Sequence, residues 1–224
     1  MTYSWAMVRS TAMDTLNQDL LEINASTVRM LSQVREAAGL AQQALIQADL
    51  EAAQKCIEGD DAIDKLMRQL EKQILIIIAR RQPAARDLRF LGAIYRSLAD
   101  IERAGDYAVR VARAARALAQ KPPLKKYLDM ERILTVISTM IEVTIKALAE
   151  SDIEVAKQAW AMDNEIDDLY QQIERELLTY MIEDPHTISV STQLLSIGRY
   201  LERFGDHIEN VDEHIIFWLT GVRL

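Results

Sequence analysis

Four pairs of acidic residues in this chain share one spacing, four positions within each pair. The pairs are Asp60 with Asp64, Glu102 with Asp106, Asp163 with Asp167, and Glu202 with Asp206. Residues four apart lie on the same face of a helix. If the helices that carry them pack antiparallel, two pairs can meet as four carboxylates on one bundle surface.

Carboxylates that are brought together can bind a cation or remain a solvated acidic face. Like charges at this spacing destabilise a helix by roughly 0.2–0.5 kcal/mol, and a bound cation would reverse the sign of that interaction. Oxygen-only ligand sets suit hard ions such as magnesium, calcium, manganese or ferric iron, and zinc also accepts them. The residue types alone leave both alternatives open.

The number of acidic pairs is uninformative by itself. In a chain with 34 acidic residues among 224, about 5 pairs at this spacing are expected by chance, so a single pair is a weak motif. The chain has six, and the other two are Glu150/Glu154 and Glu209/Glu213. The informative fact is that four of the six occupy equivalent positions of an internal repeat.

The two halves of the chain repeat each other. The segment Asp60–Asp64 recurs 103 positions later, and Ile101–Asp106 recurs 100 positions later. A period this long indicates a duplicated domain rather than a solenoid. The prolines of Gln120–Lys126 interrupt the helical pattern, which predicts two copies over residues 1–121 and 122–224.

A glycine precedes the aspartate of each pair on the third helix, at Gly105 and Gly205. Glycine inside a helix is less favourable than alanine by about 1 kcal/mol. A bare backbone at this point would leave room for an ion cluster or a close partner, and close helix packing is the alternative.

The elements that must position these residues are helices. Good helix formers dominate, and only 7 glycines and 4 prolines are present, which predicts few, long helices. Three helices are predicted in the first copy. The first ends near Leu45, the second follows the N-cap Asp49 and continues to about Arg80, and the third runs from Pro83 to about Ala119. The second copy is predicted to have helices near 128–149, 153–182 and 187–218. Apolar residues recur every three or four positions in the last helix of each copy, typical of an antiparallel bundle. The fold class is therefore all-α, a tandem repeat of two antiparallel three-helix bundles with six long helices.

Composition narrows the class of protein. A net charge of −8 and a pI near 5.0 argue against a nucleic-acid binder. Cys56 is the only cysteine, which excludes an internal disulfide. The most apolar run, Ile74–Ala79, is too short to span a bilayer, and residues 1–12 lack the apolar stretch of a signal peptide. We expect a soluble cytoplasmic protein without membrane insertion.

Three further features have ordinary explanations. His207 follows Asp206 and could assist a metal site, but an exposed helical histidine is the simpler expectation. Arg110, Arg113 and Arg116 form a basic stripe that suits a helix C-terminus and is expected to be solvated. No P-loop or nucleophile motif is found, and so few histidines disfavour a metal-dependent hydrolase or oxidase.

Three segments together resemble the PhoU family of phosphate-uptake regulators. They are Arg81–Arg89, Asp100–Asp106 and Tyr200–Asn210. The resemblance covers nearly the whole chain, including the tandem three-helix organisation, and the paired acidic motifs are the family's metal signature. It therefore implies that the eight paired carboxylates are metal ligands.

The resemblance implies a regulator rather than an enzyme. PhoU-like proteins repress phosphate-starvation signalling (the Pho regulon) when phosphate is plentiful, as adapters between the phosphate ABC transporter, through its ATPase PstB, and the sensor kinase PhoR. Such a protein would be cytoplasmic and peripheral at the inner membrane through its partners. Members bind multinuclear iron or zinc clusters, with manganese or magnesium as further candidates, and commonly form homodimers.

The first copy departs from the family pattern beside its acidic pair. The family usually has asparagine four residues after the motif aspartate, which Asn210 keeps and Arg110 replaces. Glu213 is likewise matched by Arg113. We therefore expect the second copy to hold the better metal site. A helical scaffold without a metal role is the alternative function.

Overall fold

The structure, a computed structural model, describes residues 4–223, with side chains described from residue 15 onward. The helices are α1 (Ser4–Ile46), α2 (Leu50–Arg81), α3 (Ala85–Leu118), α4 (Leu128–Glu150), α5 (Ile153–Trp160), α6 (Asp163–Glu183) and α7 (Ile188–Thr220), with a 3₁₀ turn at Pro185–Thr187. This confirms the all-α tandem of two three-helix bundles. The expectation about a signal peptide concerned residues 1–12, whose side chains lie outside the described part.

Equivalent aspartates begin the second helix of each copy. The Asp49 carboxylate accepts hydrogen bonds from the backbone N–H groups of Glu51 (2.9 Å) and Ala52 (3.0 Å), which confirms the predicted N-cap. Asp152 does the same for Glu154 (2.8 Å) and Val155 (3.3 Å). Each cap pairs N–H groups that have no partner within the helix, a contribution of about 1 kcal/mol.

Two helix boundaries differ from the sequence expectation. Pro83 precedes α3 instead of forming its first turn, because Gln82 and Ala85 adopt left-handed backbone angles (φ 50° and 41°) around it. The second helix of the second copy is interrupted after Trp160, where the Met162 N–H bonds three residues back and tightens the turn. Neither proline nor glycine marks that interruption.

The two bundles lie side by side with one continuous apolar core. Helix α3 packs antiparallel against α7, so Phe90 near the start of α3 meets Trp218 near the end of α7, with ring centroids 4.8 Å apart. The predicted seams are confirmed, because every residue of both stripes is buried. They are Ile94, Ile101, Ala104, Ala108, Val111, Ala115 and Leu118 on α3, and Leu194, Ile197, Leu201, Phe204, Ile208, Val211, Ile215 and Trp218 on α7.

A polar cluster joins the two bundles at this α3–α7 contact. One oxygen of the Asp100 carboxylate lies 3.0 Å from His207 Nδ1, and the other lies 3.5 Å from His214 Nε2. Burial alone would raise the pKa of Asp100, but hydrogen bonds with the two histidines outweigh it and lower that pKa to about 2. The expectation of an exposed His207 is wrong, because its side chain is only 13% exposed and its ring stacks on Tyr107.

A buried carboxyl group distinguishes the second core from the first. Asp212 is fully buried on α7, and one of its oxygens lies 3.1 Å from Thr144 Oγ1 on α4. The Thr144 hydroxyl has one proton, which it can donate either to Met140 O or to this Asp212 oxygen. Burial raises the pKa of Asp212 well above its usual value. The equivalent residues of the first copy are Ala112 and Ala41.

None of the helices in the described range, 4–223, has the length and hydropathy needed to cross a membrane.

The Asp212 carboxyl predicts a specific dependence of stability on pH. Because its folded-state pKa is raised, the stabilising neutral form is fully present below the unfolded pKa near 4 and is lost as the pH rises toward the folded pKa. Asp212→Asn keeps a neutral side chain of the same size that can hydrogen-bond to Thr144. We expect the variant to exceed the wild type in unfolding free energy by about 1 kcal/mol or more at pH 8, and by little at pH 4.5.

Urea unfolding in the presence of chelator across this pH range measures the difference. The exposed Asp61→Asn serves as the control and should follow the wild-type curve. Parallel curves for wild type and Asp212→Asn would contradict a neutral Asp212.

Candidate metal centre

Three aspartates of the second copy meet in the groove between α6 and α7. Asp163 and Asp167 lie on α6, and Asp206 lies on α7. One carboxylate oxygen from each lies within 4.8 Å of one from both others. The i,i+4 spacing on α6 and the antiparallel packing of α7 bring them together as the sequence predicted.

Glu202 is the fourth paired carboxylate of this groove. Its side chain is 20% exposed, and its Oε2 is buried without a hydrogen-bond partner. Arg203 is a nearby cation, with its guanidinium 3.5 Å from Glu202 Oε2 and 3.1 Å from Asp206 Oδ2. Burial and the charge of Asp206 raise the pKa of Glu202 despite the opposing charges of Arg203 and Arg199, so these arginines do not offset the four carboxylates.

Gly205 creates the space that Asp163 occupies. A Cβ atom at Gly205 would stand 2.5 Å from Asp163 Oδ1 and 2.8 Å from Ile166 Cδ1, both closer than real contacts allow. At Gly105 in the first copy the nearest atom would be Ile63 Cδ1 at 3.0 Å. The two glycines therefore have different explanations. Close helix packing accounts for Gly105, whereas Gly205 also leaves room for the carboxylate of Asp163.

Asp163 is nearly buried, with 5% exposure, and its Oδ1 has no hydrogen-bond partner. Burial, followed by the negative charges of Glu209, Asp167, Asp206 and Glu202, raises the pKa of Asp163 to about 8. Its position as the first residue of α6 places it in the favourable field of a helix N-terminus. Without a cation, this group is largely protonated at neutral pH.

The four paired carboxylates of the first copy also share a groove, between α2 and α3. Burial and then the charges of Asp106 and Asp64 raise the pKa of Asp60. The same two neighbours act on Glu102 after its own burial. However, within the described part of the chain only the second-copy aspartates place three ligand atoms within 4.8 Å of one another.

Cationic side chains also lie beside the first cluster. The Arg68 guanidinium is 3.3 Å from Asp64 Oδ2, and the charge of Arg113 opposes the raised pKa of Asp60. Arg113 and its stripe neighbours are exposed as expected. Arg116 donates a hydrogen bond to Gln54 (3.1 Å).

Sequence reasoning left two acidic residues near these grooves unassigned. Glu209 forms a further acidic pair with Glu213 in the sequence, and in the structure its charge acts on Asp163. The sequence feature that could have identified Glu209 is its position on the same helix face as Glu202 and Asp206. Asp100 carries no spacing signal, because its partners come from the other copy.

The second-copy groove fits a hard cation. Its donors are carboxylate oxygens, which such ions prefer. Asp163 Oδ1 and Glu202 Oε2 are buried and accept no hydrogen bond, although Arg203 lies 3.5 Å from the latter. Buried unpaired oxygens are rare, and an ion is one of the accepted explanations for them. Asp163, Asp167, Glu202 and Asp206 are the residues that would hold it.

By fold and site this is a helical tandem-repeat protein with a carboxylate cluster in the equivalent groove of each copy. Residues 27–115 and 130–215 each match the PhoU domain. The chain belongs to the PhoU family, as the signature segments implied.

Several similar proteins align with this chain over almost their whole length. The chain is 42% identical over 210 residues to the phosphate-specific transport system accessory protein PhoU homolog of Deinococcus radiodurans, covering 94% of this chain and 99% of that one. The crystal structure of PhoU from Pseudomonas aeruginosa superposes with a TM-score of 0.88 at 35% identity, covering 92% and 99%. The phosphate transport system regulatory protein PhoU from Streptococcus pneumoniae gives 0.86 at 28%, covering 93% and 99%.

The glycine geometry predicts opposite effects for two Gly→Ala substitutions. Gly205→Ala should lower the unfolding free energy by about 1–3 kcal/mol, because the added methyl group overlaps Asp163 and Ile166. Gly92→Ala, in α3 with open space around it, should raise it by about 0.5–1 kcal/mol. Thermal or urea unfolding checks both, and equal effects would contradict the close approach at Gly205.

Proposed function

We propose that this chain is a metal-binding negative regulator of phosphate uptake and of phosphate-starvation signalling. The observation that carries the proposal is the cluster of Asp163, Asp167 and Asp206, with its nearly buried and unpaired Asp163 oxygen, in a PhoU-family chain. Iron or zinc in a multinuclear cluster is the expected occupant, with manganese or magnesium as alternatives. A bound cation supplies positive charge that neutralises the gathered carboxylates.

Some residues of the groove would bind the ion, and Gly205 would keep the helices that carry them close together. Asp167 and Asp206 come from facing helices, so an ion held by both would clamp α6 to α7. Gly205 keeps the helices close enough for Asp163 to reach the same centre. Metal binding would therefore stabilise the second bundle, because an ion that binds the folded chain raises its stability by mass action.

The regulatory part of the proposal is an adapter function. Relatives with high coverage are named as phosphate transport accessory or regulatory proteins, which supports association with a transporter. We propose a homodimer that binds a PstB-like transporter ATPase and a PhoR-like sensor kinase, and that acts by binding rather than as an enzyme.

Removal of the second-copy carboxylates should abolish most metal binding. The variant Asp163→Asn/Asp167→Asn/Glu202→Gln/Asp206→Asn keeps the side-chain sizes while removing four charges. We expect its metal content by elemental analysis, after loading with iron or zinc and gel filtration, to fall by more than half. Glu150→Gln/Glu154→Gln, an acidic pair outside both grooves, is the control and should bind as the wild type does.

Two outcomes would contradict the metal assignment. Equal metal content in wild type and the four-site variant would place the metal elsewhere. A wild type that binds no metal, with a melting temperature that chelator leaves unchanged, would favour the helical scaffold.

The adapter function predicts specific partners in the cell. Tagged protein recovered from phosphate-replete cells should carry a transporter ATPase or a sensor kinase, identified by mass spectrometry. The four-site variant tests whether the metal centre contributes to that association. Recovery of the chain with neither partner would count against the adapter function.

A further inference from the structure

Large apolar side chains are exposed at equivalent positions of the two copies. Leu75 and Leu178 are 54% and 52% exposed, and Leu88 and Ile188 are 45% and 47% exposed. Isolated exposed apolar residues are ordinary on a protein surface. Nearly equal exposure at equivalent positions instead marks a surface that belongs to the repeated unit.

In the first copy these residues gather at the turn between α2 and α3. Leu75 and Ile76 of α2 and Tyr95 of α3 line one surface groove. Leu88 lies seven positions, about two helical turns, before Tyr95 and therefore on the same face of α3. Tyr95 in turn lies seven positions before Glu102, so this apolar surface continues the α2–α3 groove beyond its paired carboxylates.

The second copy carries the equivalent surface at the turn between α6 and α7. Its exposed apolar members are Leu178, Ile182 and Ile188, and Ile182 is 81% exposed. Exposed apolar side chains that gather in one place are typical of a surface that contacts another molecule. Each copy therefore presents one such surface.

The two surfaces carry opposite charge. Residues 71–96 contain six cations and two acidic residues, whereas the equivalent residues 174–196 contain one cation and four acidic residues. The exposed Arg80 and Arg81 are matched by the exposed Glu183 and Asp184. The exposed side chains of residues 71–96 are called the basic patch, and those of residues 174–196 the acidic patch. The chain thus contains both members of a complementary pair.

The fold places the two patches at opposite ends of the molecule. Helices α3 and α7 are antiparallel, so the start of α3 lies beside the end of α7, where Phe90 contacts Trp218. The basic patch lies at the start of α3, and the acidic patch lies at the start of α7. No single small partner could cover both.

Both patches nevertheless face the same side of the molecule. Helix α2 packs on α1 and α3, and α6 packs on α4 and α7, while α1 contacts α4 and α3 contacts α7. The α2–α3 and α6–α7 grooves therefore flank the α3–α7 contact and open on its side. A second molecule that approaches this side can meet both patches together.

We propose that the two patches form the interface between two copies of this chain, with the basic patch of each copy on the acidic patch of its partner. This inference rests on the homodimer of the proposed function and assigns its surface. A two-fold axis perpendicular to the line between the patches brings both pairs together at once, so the assembly closes as a dimer. The apolar side chains are then buried, and unlike charges meet around them.

The size and charge of the patches favour this arrangement over contact through one patch. A specific interface buries about 800 Å² on each partner, whereas the basic patch offers four large exposed apolar side chains and the acidic patch three. An anionic lipid surface would attract the basic patch and repel the acidic one. A second copy complements both.

Charge reversal tests the contact in the full-length chain. Arg80 and Glu183 are the suitable positions, because Arg81 already pairs with Asp19 and Asp184 caps the 3₁₀ turn. Arg80→Glu and Glu183→Arg should each raise the dimer dissociation constant by about tenfold or more, since each brings like charges together. Sedimentation equilibrium measures the constant, and circular dichroism checks folding.

The control for these variants is Arg29→Glu, which reverses the charge of an exposed residue of α1. Arg29 lies outside both patches, so the dissociation constant should stay at the wild-type value. A loss of affinity in this control equal to that of Arg80→Glu would reduce the effect to net charge and overturn the assignment.

Two rescue experiments test whether unlike patches meet. The double variant Arg80→Glu/Glu183→Arg exchanges the charges, so its dissociation constant should return close to that of the wild type. The two single variants, each weakened alone, should form a mixed dimer when they are combined, because each supplies the charge that the other lacks. Failure of both rescues would overturn the pairing of basic with acidic patch.

Leu178→Gln tests the apolar part of the interface. It should raise the dissociation constant several-fold, because a polar amide replaces an apolar side chain that the partner covers. Leu50→Gln is the matched control, since Leu50 is 53% exposed and lies outside both patches. Equal effects of the two substitutions would contradict burial of the acidic patch.

The same measurements distinguish this surface from the proposed function. A wild-type dimer that none of the patch substitutions weakens would overturn the surface while the homodimer stands. A monomer at every concentration would overturn both and leave the metal-binding regulator intact, and growth beyond a dimer would overturn the closed two-fold contact. A monomer that sediments with phosphatidylglycerol vesicles, and loses this binding in Arg80→Glu, would replace the second copy by a lipid surface.

Discussion

The close approach of α7 to α6 at Gly205 is the constraint on which the rest of the second bundle depends. No side chain separates the helices there, so the Asp163 carboxylate is forced into a nearly dry position among other acidic groups. Burial and like charge then act in the same direction and make the ionised group unfavourable without a cation. The geometry that packs the bundle is thus also the geometry that creates an affinity for positive charge.

Duplication supplied two such grooves, and later divergence made them unequal. Both copies keep the paired carboxylates with arginines nearby, Arg68 and Arg113 in the first and Arg203 in the second. The core of the first copy is purely apolar at Ala112, where the second copy has Asp212. The second copy adds acidic groups on the same helix, and an interruption before Asp163 sets that residue at a helix start. The two bundles can therefore share their packing and still differ in charge. This is possible because the buried seam residues and the acidic groove residues lie on different faces of α3 and α7.

The contact between the bundles brings the two grooves into one molecule. Asp100 lies two residues before Glu102 on α3, and it contacts His207, which follows Asp206 on α7. The hydrogen bonds with the two histidines outweigh the burial of Asp100 and lower its pKa to about 2, so this contact is a charged link between the bundles.

The sequence by itself determined the helices, the duplication and the paired carboxylates. Periodicity and i,i+4 spacing are local properties of a helix, so the seams and the membership of Asp163, Asp167 and Asp206 in one groove followed from them. Only the tertiary structure decided which cluster is compact, that His207 is partly buried against Asp100, and that Asp212 lies in the core. Those features depend on the register between helices distant in the chain, and on a helix interruption that neither proline nor glycine announces. The spacing along the sequence determines which residues lie on the same face of a helix. Their burial and the charges near them are determined only when that face packs against another helix.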